Sequence, residues 1–164
     1  MKKQVLIMLS CTFAGHRNVF LPDADRKIEV ALDWLIARDD AFVFYTGGMG
    51  EFDIKCASAV RAAKRRHIDK EIRLILVLPY MSNCLNTDKN YYESSFDDVM
   101  IPIELVSVYP KAAIQKRNRW MVDRSDYLIA CVHRDFGGAY ETVQYAMRKD
   151  VPVLNLAQQA SLQL

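Results

Sequence analysis

Ala41-Phe-Val-Phe-Tyr-Thr-Gly-Gly-Met-Gly-Glu-Phe-Asp53 is the stretch that decides the fold. Residues 41–45 form a short apolar run, the pattern of a strand buried on both faces. Thr46-Gly-Gly-Met-Gly50 breaks it. Residues 51–66 then place Ile54, Ala57, Val60 and Ala63 at helical spacing. They end in Lys64, Arg65, Arg66 and His67, which complement a helix C-terminus. Strand, glycine turn and amphipathic helix make one βα unit.

The rest of the chain repeats the unit. Upstream, Gln4 to Ser10 is a nearly continuous apolar run and reads as the first strand, followed by a helix over residues 23–38 with Ile28, Leu32, Leu35 and Ile36 inward. Downstream, Arg73 to Leu78 reads as a third strand, stopped by Pro79. Residues 79–90 are a polar loop and 91–99 a short helix. Ile103 to Ser107 reads as the fourth strand. Pro110 suits the first turn of a helix through Arg124, with Ala113, Ile114, Arg117, Trp120 and Met121 along one face. Tyr127 to Val132 is a fifth strand. Gly137-Gly138 opens a helix with Tyr140, Val143, Ala146 and Met147 inward, and Pro152 to Leu156 closes the series. All five prolines fall at element boundaries, as the missing N–H requires. Alternation of this kind predicts an α/β class, a Rossmann-like doubly wound fold: a mainly parallel sheet in a three-layer αβα sandwich. The domain is expected to be single, spanning 1–164, with the 156–164 tail frayed or in a short helix.

Composition narrows the function. With 51% hydrophobic and 26% charged residues among 164, the chain is globular rather than disordered. A net charge of +2 implies no strong field and argues against a nucleic-acid partner. No apolar run reaches the ~18 residues of a membrane span. The Met1-Lys2-Lys3 start looks like a signal peptide, but its apolar part is short and no small-residue cleavage site follows, so a cytoplasmic protein is expected. Cys11, Cys56, Cys84 and Cys131 form no CxxC pair and read as small buried hydrophobes in a reducing compartment, with no metal site. Trp34, Trp120 and the tyrosines are candidates for a homodimer face.

The six glycines carry the functional signal. Gly15, the Gly47, Gly48, Gly50 cluster and the Gly137-Gly138 pair each follow an apolar run. They therefore fall beyond the carboxyl ends of predicted strands, where open parallel sheets bind ligands. Helix N-termini lie at the same edge and offer unpaired N–H groups, and glycine lets backbone approach a phosphate. A turn alone accounts for some of these glycines, but three in the four residues 47–50 exceed what a turn needs. The GxGxxG dinucleotide fingerprint is absent, which disfavours an ordinary NAD-dependent dehydrogenase. Around the loops stand His16 and Arg17, a candidate phosphate clamp, Thr46, for a ligand hydroxyl or a turn cap, and Asn118. Glu51, Asp53 and Glu141 open helices, where carboxylates are favourable caps in any case.

These loops resemble the SLOG superfamily, named for the SMF/DprA and cytokinin-activating LOG proteins. Cys11-Thr-Phe-Ala-Gly-His-Arg17 resembles its TGHR loop, and Thr46-Gly-Gly-Met-Gly-Glu-Phe-Asp53 its TGGAxGxD loop. Arg117-Asn-Arg-Trp-Met-Val-Asp-Arg-Ser-Asp126 resembles the RNxxMVDxSD segment of the YpsA-like branch. Tyr127 to Val132 with Gly137-Gly138 resembles LIAxx…GGT. The resemblance implies a Rossmann-like nucleotide-binding fold, with Gly15, Arg17, Gly47, Gly48, Asp53, Asn118, Gly137 and Gly138 in a pocket for ADP-ribose or a nucleoside monophosphate. It implies no established reaction. The chain departs from the LOG-type PGGxGTxxE loop, with Phe136 in place of proline and neither the third glycine nor the glutamate, and Ala139 stands where the YpsA-like branch has threonine after the double glycine.

Three functions follow. The leading expectation is a sensor or binding domain for a nucleotide-derived ligand at the C-terminal edge of the sheet, held by Gly15, His16, Arg17, Thr46, Gly47, Gly48, Gly50, Asp53, Asn118, Gly137 and Gly138. The alternative is an N-glycosidic hydrolase or transferase related to LOG-type phosphoribohydrolases, with Asp53, Glu51 or Glu141 acting on an oxocarbenium-like state. A further alternative is single-stranded nucleic-acid binding through Lys111, Lys116, Arg117, Arg119 and Arg124, against the plainer reading of a solvated helix face with Trp120 packed inward.

Overall fold

The computed structural model describes residues 7–158; residues 4–6 of the expected first strand and 159–164 of the expected tail lie outside them. Six strands, β1 (Leu9–Gly15), β2 (Ala41–Thr46), β3 (Glu71–Val77), β4 (Asp98–Met100), β5 (Tyr127–Cys131) and β6 (Val153–Asn155), form one sheet in the order β4-β3-β2-β1-β5-β6. Every pairing is parallel. The connecting helices are α1 (Ala24–Ile36), α2 (Glu51–Arg66), the short α3 (Cys84–Thr87) and α4 (Lys89–Ser95), α5 (Pro110–Asp123) and α6 (Gly138–Arg148).

The strand order explains where a ligand can enter. The chain steps outward from β1 through β2 and β3 to β4, then returns past β1 to lay down β5 and β6. Connections leaving β1 and β5 therefore diverge to opposite faces, and a crevice opens at their carboxyl ends. On one face Cys11, Phe13, Phe42, Phe44 and Leu74 pack against Leu32 of α1 and Phe52 and Val60 of α2. On the other, Ala14, Leu128 and Ala130 pack against Val122 of α5 and Val143 and Ala146 of α6. Strands covered twice are apolar almost throughout, which is why their sequence runs lack alternation.

Several boundaries differ from the sequence expectation. Among the described residues the first strand is Leu9–Gly15, and it runs past Ser10, the expected end. Ser10, read as its end, and Thr12 beyond it both ride inside it with their hydroxyls satisfied: Ser10 Oγ donates to the Arg124 carbonyl at 2.8 Å, and Thr12 Oγ1 to the Tyr45 carbonyl at 3.0 Å. The fourth strand is Asp98–Met100, while Ile103–Leu105 is a 3-10 turn. Ile103 and Val106, the apolar residues that suggested a strand there, are 83% and 73% exposed. The expected loop over 79–90 contains α3, and α4 begins at Lys89 and ends at Ser95. Ile54 and Met147 were expected inward and are exposed. Three cysteines are buried as expected, with burial raising the Cys11 and Cys56 thiols well above their ordinary range, but Cys84 is exposed. No helix of the described residues is long and apolar enough to cross a membrane.

Candidate functional site

A cleft of about 470 Å³ opens at the β1/β5 crevice. Its walls are the loop after β1, the loop after β5, one face of α5 and the first turn of α6, with Met49 and Asp53 from the β2–α2 region. Of the expected site residues, Gly15, His16, Arg17, Asp53, Asn118 and Gly138 line it. Gly47 and Gly48 line a neighbouring cavity instead, which shares Met49 and Asp53 with the cleft. Thr46, Gly50, Gly137, Glu51 and Glu141 line neither cavity.

The glycines divide by what demands them. A Cβ on Gly15 would fall 2.3 Å from the Phe52 ring, and one on Gly47 2.8 Å from Cζ of Arg117. Gly48, Gly50 and Gly137 have φ of +65°, +90° and +96°, which L side chains rarely adopt. Gly138 alone has neither constraint: its φ is unexceptional, and a Cβ there would meet nothing within 4 Å.

The turn before α2 is tied down by the protein itself. Gly48 N–H donates to Thr46 Oγ1 at 3.3 Å, and Met49 N–H to Asp53 Oδ2 at 3.1 Å. Glu51 N–H donates to the Arg17 carbonyl at 2.9 Å, and its carboxylate accepts from Val19 N–H at 2.8 Å. Thr46 is thus a turn cap, and Glu51 a clasp on the loop after β1. Neither Gly50 nor Gly137, the cap residues of α2 and α6, has a side-chain cap bond, and among the described residues α6 has no counterpart of the Glu51 clasp. The first-turn N–H groups there have no intrahelical acceptor, and Gly138 and Ala139 face the cleft.

Arg117 forms the inner wall. It is 2% exposed, and its Nη1 donates to the carbonyls of Val77 at 2.8 Å and Gly47 at 3.2 Å. Its Nε donates to Asn118 Oδ1 at 2.8 Å, which orients Asn118. Burial lowers its pKa, opposed by the charge of Asp53. Asp53 in turn is pushed up to about 6 by burial, against the opposing Met49 N–H bond and Arg117 charge. A carboxyl poised there exchanges protons near neutrality.

Three residues absent from the sequence-derived set complete the cleft. Arg134, in the loop after β5, donates to His16 Nδ1 at 3.0 Å and stacks on Phe136 at 4.7 Å. His16 is buried, and its pKa is held below the ordinary value, first by burial and then by Arg134 and His133. It therefore serves as a neutral acceptor for the guanidinium. His133 and Phe20 line the mouth. Nothing in the sequence marks these residues except their place in loops at the carboxyl edge. Arg17, Arg117 and Arg134 thus surround a cleft with one lining carboxylate, Asp53. Near balance over the whole chain hides this concentration, so net charge does not argue against a polyanionic partner. Among the described residues no three His, Cys, Asp or Glu side chains converge on a metal-sized site.

No protein-family model and no curated protein sequence matches the chain. Solved structures do. DNA processing protein A from Helicobacter pylori, described for its single-stranded DNA binding mode, superposes with TM-score 0.62 at 18% identity, covering 88% of this chain and 63% of that one. DprA from Streptococcus pneumoniae gives 0.63 at 16%, covering 89% of this chain and 49% of its own. The molybdenum cofactor binding protein from Rippkaea orientalis gives 0.55 at 22%, covering 90% and 76%. The chain thus spans about half to two thirds of the two DprA chains. Likeness at these identities establishes architecture: the chain has the Rossmann-like α/β fold of these proteins, the fold that its resemblance to the SLOG superfamily implies.

Proposed function

We propose that the chain is a binding or sensor domain for a phosphate-bearing, nucleotide-derived ligand of the nucleoside monophosphate or ADP-ribose type, held in the β1/β5 cleft. The observation that carries this reading is Gly138. It is a glycine that neither packing nor backbone angle requires, at the uncapped N-terminus of a helix facing the cleft. Omitting a side chain there leaves the first-turn N–H groups open to an anion. Arg134 and Arg17 supply the countercharge at the mouth. Asp53 and Asn118, deeper in, suit the hydroxyls of a ribose.

AMP and ADP-ribose are expected to raise the melting temperature of the full chain. Gly138→Leu is expected to leave the ligand-free melting temperature unchanged, since the side chain enters open space, and to abolish the shift. No shift with either nucleotide, or an unaltered shift in the variant, contradicts the reading.

Asp53 favours a second reading, N-glycosidic cleavage, because a carboxyl titrating near 6 suits acid–base work. Free base released during the same titrations, detected chromatographically, distinguishes an enzyme from a sensor. The fold shared with the Helicobacter pylori protein keeps a third form of the ligand open, a single strand of DNA. Steep salt dependence of binding marks that form.

A further inference from the structure

The loop after β1 carries an aromatic side chain that the fold does not use. Val19 and Leu21 turn inward and pack against the core beneath α1 and α2. Phe20, between them, is 77% exposed and lines the mouth of the cleft. The loop does not need it as an anchor, because its neighbours already supply the apolar contacts. Polar clasps also fix the loop: Val19 N–H on the Glu51 carboxylate, and the Arg17 carbonyl on Glu51 N–H. Phe20 is therefore held in place without being buried, an arrangement that costs the free protein exposed apolar surface.

The rings around it are differently engaged. Phe136, also exposed, has the Arg134 guanidinium over it at 4.7 Å. Phe13 lines the cleft but is buried in the core. Phe20 makes one ring contact among the described residues, an edge contact with His133 at 6.3 Å and 89° between the planes. Its open ring lines the same cleft as the Arg17 and Arg134 cations. A phosphate among those cations, with the ribose turned inward toward Asp53 and Asn118, brings the base back toward this ring. The chemistry that covers an aromatic face next to an anion site is a planar heteroaromatic ring.

We propose that Phe20 is the stacking platform for the base of the bound nucleotide, so that the cleft selects phosphates carrying a planar base over bare sugar phosphates. This rests on the phosphate reading of the cleft given above. The test is calorimetric titration of the full chain with AMP and, separately, with ribose 5-phosphate, which keeps the anion and sugar and lacks the base. The wild-type chain is expected to bind AMP more tightly than ribose 5-phosphate. Phe20→Ala is expected to weaken AMP by about tenfold, the scale of one base–aromatic stack, and to leave ribose 5-phosphate unchanged. Phe20→Tyr is expected to restore the AMP affinity. Equal AMP affinity in the wild-type chain and Phe20→Ala overturns the proposal and leaves the phosphate cleft standing. So does equal weakening of both probes, which would mean that the loop itself had moved. Failure of the wild-type chain to bind either probe overturns the phosphate reading as well.

Discussion

Asp53 concentrates the tension of the site in one side chain. Its carboxyl rises from 3.8 to about 6 because burial outweighs the Met49 N–H bond and the charge of Arg117. A raised carboxyl pKa means that the folded chain holds a proton the unfolded chain releases between those two values. Stability attributable to Asp53 therefore falls as pH climbs from about 4 to about 6 and stays at the lower level above. Asp53→Asn cannot ionise, so it is expected to be roughly 1–3 kcal/mol more stable than the parent at neutral pH, with the difference fading toward pH ~4. Urea denaturation at the two pH values measures this. An Asn variant that is equally or less stable at neutral pH would show that the ionised carboxylate contributes net stability. Legibility at this scale was uneven. Asn118 was legible through the resemblance of its segment rather than helical spacing, and the structure puts it in the cleft while its neighbour Arg119 lies over the Tyr145 ring outside. Phe20 and Arg134 were not readable, because a single loop residue has no periodicity to place it.

At the level of elements, glycine turns and buried strands were the most legible features. The helix predicted over 51–66 is α2 residue for residue, since both its glycine start and its basic end are written in the sequence. The fourth strand was not legible. An edge strand of three residues that opens on Asp98 lacks the apolar run that marks the inner strands. What fixes it is Asp97, which accepts from Leu74 N–H at 2.7 Å and from Lys64 Nζ at 2.6 Å, a tertiary arrangement with no local signature. The role of Gly15 was legible only in part. Its position marked the sheet edge, but the reason for glycine there is the approach of α2, whose Phe52 ring would lie 2.3 Å from an added Cβ. Gly15→Ala must push the first turn of α2 off β1, since overpacking of a filled site is not absorbed locally. A loss of roughly 1–3 kcal/mol in urea unfolding is expected. A neutral substitution would mean that α2 docks with slack that the structure does not show.

The whole molecule brings together two loops far apart in sequence because its strand order reverses at β1. The loop after β1 supplies His16, Arg17 and Phe20, and the loop after β5 supplies His133 and Arg134. The sequence placed three glycine groups on one edge and suggested a cradle spread over all of them. The structure gives them different surroundings: Gly15, Gly47, Gly48 and Gly50 fit α2 and its turn, and the proposed phosphate site falls to Gly138 and the arginines that line the cleft. That division depends on what packs against each glycine, which only the assembled fold reveals. Its most direct test is a crystal of the full chain soaked with AMP. The account predicts phosphate density against the N–H of Gly138 and the guanidinium of Arg134. Phosphate seated on the Gly47–Gly50 turn, or AMP bound with its phosphate outside the β1/β5 cleft, would contradict it.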